Sequence, residues 1–88
     1  MTTKVLIENK HGLHLRAAAR LVRVANGFGS FILVKSQGRS VSAKSLLNLL
    51  ALAVTQGQEL EIEAEGTDAE SALQAIGLLA HERFGEPE

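Results

Sequence analysis

The stretch 59–65, with the sequence ELEIEAE, limits the possible folds of this chain more than any other segment. Acidic and hydrophobic residues alternate in it without exception. Since successive side chains of a β-strand point to opposite faces, this period of two predicts a strand over residues 59–65 with one buried face. The other face carries only carboxylates, which favour contact with water. The chain must therefore build a sheet that is covered on one side and open on the other.

The rest of the chain supplies further strands and the helices that cover them. Residues 4–8, 30–34 and 39–42 have strand character, and Ser36-Gln37-Gly38 reads as a hairpin turn. Helical spacing follows Gly12 as far as Ala25, recurs over 45–53, and appears again from the capping-box sequence at 67–70 to about Arg83. The predicted order is β-α-β-β-α-β-α. It favours an α+β fold, an open-faced β-sandwich with helices on one side of the sheet.

Composition narrows the class of protein. The 88 residues suffice for one small domain, 1–88, with one core. Cysteine is absent, so disulfides, thiolate nucleophiles and soft metal ligands are excluded. The amino-terminal residues lack the apolar stretch of a signal peptide, and no apolar run reaches the roughly 20 residues of a membrane span. We therefore expect a cytoplasmic protein.

Charge is distributed unevenly although the net charge is only −1. Residues 1–45 contain eight lysines and arginines against one carboxylate, and residues 46–88 contain one arginine against nine carboxylates. The two halves carry +7 and −8. Either these charges pair with each other in the fold, or the basic half attracts an acidic partner.

His14 is the main candidate functional residue. It lies in Gly12-Leu13-His14-Leu15-Arg16-Ala17-Ala18, where a loop turns into the first helix. A helix start offers unpaired backbone N–H groups and a positive dipole end, so a phosphoryl group on this imidazole would be well held. Arg16 adds a planar guanidinium suited to phosphate. The alternative is a histidine that is merely solvated or caps the helix.

The motif Gly12-Leu13-His14-x-Arg16-x-Ala18 resembles the active site of the HPr family, the small phosphocarriers of the bacterial phosphoenolpyruvate-dependent sugar phosphotransferase system. Residues 42–47, 55–57 and 63–66 are also similar to family segments, so the likeness runs from Lys4 to about Arg83. It implies a four-stranded antiparallel sheet with three helices on one face. It also implies a monomer without cofactor or metal, which carries phosphate stoichiometrically and is not itself an enzyme.

The resemblance assigns roles to residues. Nδ1 of His14 would receive phosphate from the phosphohistidine of Enzyme I and pass it to a sugar-specific Enzyme IIA. Arg16 would stabilise the phosphoryl group, together with the backbone amides of Arg16 and Ala17. Apolar residues beside the active-site loop would dock on these partners: Leu15, Ala19, Leu46, Leu47 and Leu50.

The second predicted helix has hydrophobic residues on two sides. Leu49, Leu52 and Ala53 have the spacing of a core face, which leaves three leucines, 46, 47 and 50, for the core or for a contact surface. Ser45 precedes this helix as a candidate N-cap. In some relatives the matching serine is phosphorylated by a dedicated HPr kinase, so Ser45 is also a candidate regulatory site.

Two departures from the family pattern leave an alternative function open. Leu15 replaces a small residue, and Ala17 replaces a proline that would help to set the first helical turn. A non-catalytic regulatory module, or a paralogue in a nitrogen-related phosphorelay, is therefore the alternative to sugar uptake. His11 and His14 without a third ligand make a poor zinc site, and a chain with three phenylalanines, no tyrosine and no tryptophan is poorly equipped to bind nucleic acid.

Overall fold

The alternating segment 59–65 forms one of the two central strands of the sheet. The computed structural model describes residues 1–88 and contains four strands, β1 (Thr2–Leu6), β2 (Phe31–Ser36), β3 (Arg39–Ser42) and β4 (Glu59–Glu65). Their order across the sheet is β1-β4-β2-β3, and every neighbouring pair is antiparallel. The helices are α1 (Leu15–Asn26), α2 (Leu46–Ala51) and α3 (Ala69–His81), followed by a short 3-10 helix at Arg83–Gly85.

The two faces of the sheet differ as the alternation predicts. Leu60, Ile62 and Ala64 of β4 are buried under the helices, whereas the glutamates between them point to the open face. Lys35 of β2 pairs with Glu63 there at 2.5 Å, and this hydrogen bond lowers the pKa of the Glu63 carboxyl. The predicted fold class, with a four-stranded antiparallel sheet and three helices on one face, is confirmed. None of the helices has both the length and the hydropathy needed to cross a membrane.

Helix α1 packs as its periodicity predicts. Ala18, Leu21 and Ala25 are buried, and Ala17 joins them at the same interface. The helix ends at Asn26, beside the predicted stop signal. Its arginines lie away from the core, so α1 presents a basic outer surface next to the start of the helix.

Several predicted boundaries were wrong by a few residues. Strand β1, predicted over 4–8, begins earlier at Thr2 and ends earlier at Leu6, because the backbone of residues 2–6 pairs in register with β4. Strand β2 continues to Ser36 because that residue pairs with β3. Helix α2 ends at Ala51, and Ala53, expected in the core, is exposed with a φ of 54°. Helix α3 ends at His81.

The predicted capping box before α3 does not form. Asp68 occupies the N-cap position, but its side chain makes no bond to the helix. Its carboxylate instead accepts from the Gly29 amide at 2.8 Å, the Ser30 amide at 3.0 Å and the Ser30 hydroxyl. The Ser30 hydroxyl and the Gly29 amide lower the pKa of Asp68. Asp68 therefore joins the loop after α1 to the start of α3, a contact between residues 38 or more positions apart.

Candidate functional site

The loop before His14 is held from both sides. The Gly12 amide donates to the Asn9 carbonyl at 3.1 Å, and the buried side chain of Asn9 donates back to the Gly12 carbonyl at 2.6 Å. The Leu13 amide donates to the Val54 carbonyl at 3.0 Å. Gly12 has a φ of 64°, and a Cβ there would lie 2.4 Å from that same carbonyl oxygen. Only glycine fits this position, so the loop enters α1 along a fixed path.

His14 is the N-cap of α1. Its backbone is extended, its carbonyl accepts from the Ala18 amide at 2.8 Å, and its ring Nδ1 accepts from the Arg16 amide at 3.3 Å. The side chain is 28% exposed. The predicted helix start and its amides are thus in place beside Nδ1. The Ala17 amide lies in the same first turn, where a helix offers no internal acceptor.

A residue that the sequence analysis does not identify lies on the other side of the ring. Nε2 of His14 contacts Oε1 of Glu86, 72 positions away in the chain. Oε2 of the same carboxylate lies 3.8 Å from the Arg16 guanidinium and 3.9 Å from that of Arg20, and the side chain is only 8% exposed. The hydrogen bond with His14, together with the charges of Arg16 and Arg20, lowers the pKa of Glu86. The carboxylate is therefore ionised at neutral pH.

The carboxyl-terminal segment folds back to bring Glu86 to the site. Phe84 is buried in the core and its carbonyl accepts from the Arg20 guanidinium. Arg83, Phe84 and Gly85 have successive φ values of 57°, 54° and 79°, which turn the chain sharply after α3. Beyond the turn, the Lys10 amide donates to the carbonyl of Glu88 at 2.9 Å. We call residues 82–88 the carboxyl-terminal strap.

The neighbours of His14 are consistent with a single neutral tautomer. A backbone N–H can only donate, so Nδ1 must be the acceptor toward Arg16. An ionised carboxylate can only accept, so Nε2 must carry the proton that faces Glu86. Both contacts therefore assign the proton to Nε2 and leave the lone pair on Nδ1.

The site is open to solvent on the side of the strap. A cleft of about 560 Å³ lies between the loop, the first turn of α1 and the strap, and is lined by His11, His14, Arg16, Glu86, Pro87 and Glu88. The His11 ring is exposed and stands edge-on to that of His14 with 5.8 Å between centroids. No group of three or more histidine and acidic side chains is arranged to hold a metal ion.

The predicted docking residues divide into two groups. Leu47 and Leu15 are 78% and 60% exposed, and Ala19 is exposed beside Leu15 on α1. Leu46 and Leu50 are half-buried and pack against the core. The apolar surface next to His14 is therefore smaller than the sequence suggests.

Ser45 lies at the N-cap of α2, but its hydroxyl makes no capping hydrogen bond. Only its backbone carbonyl takes part, by accepting from the Leu49 amide at 3.0 Å. The expected side-chain cap is therefore wrong, and the half-buried hydroxyl is not engaged in holding the helix.

The opposite charges of the two halves meet in the fold. Every lysine or arginine that forms an ion pair belongs to residues 1–45, and each of its partners belongs to residues 46–88. The first alternative, mutual pairing, thus accounts for Lys4, Lys10 and Lys35. Arg16 remains 70% exposed at the site, where it is available to a phosphoryl group or an acidic partner.

Known proteins match this chain in both sequence and fold. The family model described as "PTS HPr component phosphorylation site" matches residues 1–82. The phosphocarrier protein HPr of Xylella fastidiosa is 37% identical over 83 residues, which cover 94% of this chain and 93% of that protein. The multiphosphoryl transfer protein of Vibrio cholerae is 44% identical over 97% of this chain, which spans only 22% of that longer relative. A crystal structure of HPr-C-His from Thermoanaerobacter tengcongensis superposes with a TM-score of 0.96 at 39% identity, covering 100% of this chain and 99% of the other. The chain belongs to the HPr family of phosphocarrier proteins.

Proposed function

We propose that His14 is the phosphoryl acceptor of this phosphocarrier. The observation that carries the proposal is the position of Nδ1, which faces the Arg16 amide at the start of α1 while the ring remains partly exposed. Nδ1 attacks the phosphorus of a donor phosphohistidine, and the donor's P–N bond breaks. The amides of Arg16 and Ala17 and the Arg16 guanidinium then hold the phosphoryl oxygens. Since phosphoryl transfer depends mainly on positioning and on electrostatic stabilisation, a small domain suffices when its partner supplies the rest of the site.

The partners follow from the same proposal. Enzyme I, charged from phosphoenolpyruvate in the cytoplasm, is the donor, and an Enzyme IIA histidine is the acceptor. Leu15, Ala19 and Leu47 offer exposed apolar surface for both partners, and the half-buried Leu46 and Leu50 add the parts of their side chains that remain accessible. Phosphate on Ser45 would add negative charge next to this surface and oppose docking on an acidic partner. The free hydroxyl of Ser45 supports that regulatory role.

The test is phosphoryl labelling by Enzyme I and phosphoenolpyruvate. We expect the protein to gain one acid-labile phosphate, and His14→Ala to gain none. His11→Ala is the matched control, because it removes the neighbouring exposed ring and should label normally. Full labelling of His14→Ala would refute the assignment.

The alternative, a regulatory or nitrogen-type paralogue, is favoured by one observation. Leu15, where the family usually has a small residue, is 60% exposed beside the phosphoryl position and alters the surface that partners meet. Transfer assays with purified sugar-type and nitrogen-type IIA proteins separate the two functions. Faster transfer to the nitrogen-type protein would favour the alternative. Failure of Enzyme I to label the protein, with no transfer to either IIA protein, would favour a non-catalytic module.

A further inference from the structure

The carboxyl-terminal strap delivers one buried carboxylate to the edge of the His14 ring opposite Nδ1. Glu86 is held there by the buried Phe84 anchor, by both arginines of the first helical turns, and by the backbone bond of Glu88 to Lys10. Its side chain is 8% exposed, so a docked partner would have little access to it. Its position is therefore suited to acting on the ring and poorly suited to binding another protein.

We propose that Glu86 is a positioning residue that makes Nδ1, and not Nε2, the phosphoryl acceptor of His14. The carboxylate keeps the proton on Nε2 and fixes the ring plane, while the Arg16 amide faces the lone pair on Nδ1. This role rests on the proposed function of His14. It requires no contact between Glu86 and the phosphoryl group.

The charges balance during transfer. The lone pair of Nδ1 forms the new P–N bond, and the electrons of the donor's P–N bond return to the leaving group. The Nε2 proton stays in place, so the His14 ring gains positive charge as the bond forms. Glu86, already ionised, faces that charge and stabilises it, as a carboxylate does for the imidazolium of a hydrolytic triad. A ring without this partner would develop the same charge unsupported.

The first experiment measures the tautomer of the unphosphorylated protein. Ring ¹H–¹⁵N spectra are recorded at a pH of about 8.5, where an ordinary imidazole is uncharged. We expect the proton of wild-type His14 on Nε2, with a mixture of tautomers in Glu86→Ala. Glu86→Gln should keep the wild-type tautomer, because its amide oxygen still accepts. Glu82→Gln is the matched control, since that carboxylate is exposed on the same strap and does not line the cleft.

The second experiment measures which nitrogen reacts, with phosphoramidate as a small donor that needs no partner protein. We expect ³¹P spectra to show only Nδ1-phosphohistidine in the wild type and both isomers in Glu86→Ala. With Enzyme I, turnover at saturating donor should fall about 10- to 100-fold in Glu86→Ala, as for loss of a charge-assisted hydrogen bond, while KM stays unchanged. Glu86→Gln should give Nδ1 product only, at a reduced rate.

These outcomes separate the inference from the proposed function. If Enzyme I fails to label the wild type, the function is wrong, yet the tautomer and the phosphoramidate product still test Glu86. A wild-type tautomer and Nδ1 product alone in Glu86→Ala would overturn the positioning role. So would a loss of rate in Glu82→Gln as large as in Glu86→Ala, because any perturbation of the strap would then have the same effect.

Discussion

Replacing Gly12 with alanine should destabilise the fold and displace the loop that carries His14. The added Cβ would lie 2.4 Å from the Val54 carbonyl oxygen and 2.9 Å from the Thr55 Cα, both backbone atoms. That oxygen also accepts the Leu13 hydrogen bond that fixes the entry to α1. Relief of the clash must therefore move one of the two backbone segments that meet at the site.

The expected magnitude has two parts. Alanine at positive φ costs about 1–2 kcal/mol, partly offset by about 0.4–1 kcal/mol from a less flexible unfolded chain. The backbone clash at Gly12 adds about 1–3 kcal/mol, as overpacking does elsewhere. The total is about 1–5 kcal/mol, out of the roughly 4–13 kcal/mol expected for a domain of this size.

Gly38 provides the matched control. It has a φ of 79°, but a Cβ there meets nothing within 4 Å. Gly38→Ala should therefore show only the cost of positive φ, less than about 1.5 kcal/mol net. Urea denaturation gives both values, and with a slope near 1 kcal/mol/M the two midpoints should differ by about 1–3 M. Equal midpoints would show that the contact with Val54 does not constrain the loop.

Asp68→Asn should lower the free energy of unfolding at neutral pH. The difference from the wild type should shrink as pH falls below 3.8, the ordinary pKa of Asp, because a carboxyl with a lowered pKa stabilises the fold only while it is ionised. Chemical denaturation at several pH values measures this, and an unchanged difference at low pH would contradict it. Phe84→Ala should cost about 3–5 kcal/mol, measured by urea denaturation, because it empties a fully buried site and frees the strap. Arg16→Lys should slow phosphoryl transfer, since an ammonium cannot reproduce the guanidinium fork, and an equal rate would remove Arg16 from the mechanism. Leu47→Asp should raise KM for Enzyme I without changing the unfolding midpoint, because its side chain is 78% exposed; an unchanged KM would exclude it from the interface.

Local periodicity accounts for most of the architecture. The alternation in 59–65 and the helical spacing of Ala18, Leu21 and Ala25 predict elements whose bounds agree closely with the structure. The strand boundaries that failed depend on pairing with a neighbouring strand. Thr2 belongs to β1 only because Glu63 lies opposite, and Ser36 belongs to β2 only because Arg39 does.

Only the part of the site at the start of α1 could be predicted from the sequence. His14 and Arg16 lie in a local motif at a helix start, where capping and dipole arguments apply directly. Glu86 belongs to no helical or strand-like pattern in the sequence. It reaches the His14 ring because the chain reverses at Arg83 and Phe84, and the positive φ values of this turn are uncommon for such residues. The capping box failed for a related reason, since the Asp68 carboxylate accepts from the distant Gly29 and Ser30 and not from its own helix.

The sharp reversal after α3 has a practical consequence for anyone preparing this protein. Because the backbone of Glu88 is tied to Lys10, an affinity tag or a fused domain attached after this residue would emerge at the rim of the cleft that holds His14. Met1, by contrast, lies at the end of β1 that is remote from the loop leading to His14. Tags, dyes and surface tethers for kinetic work should therefore be attached at the amino terminus.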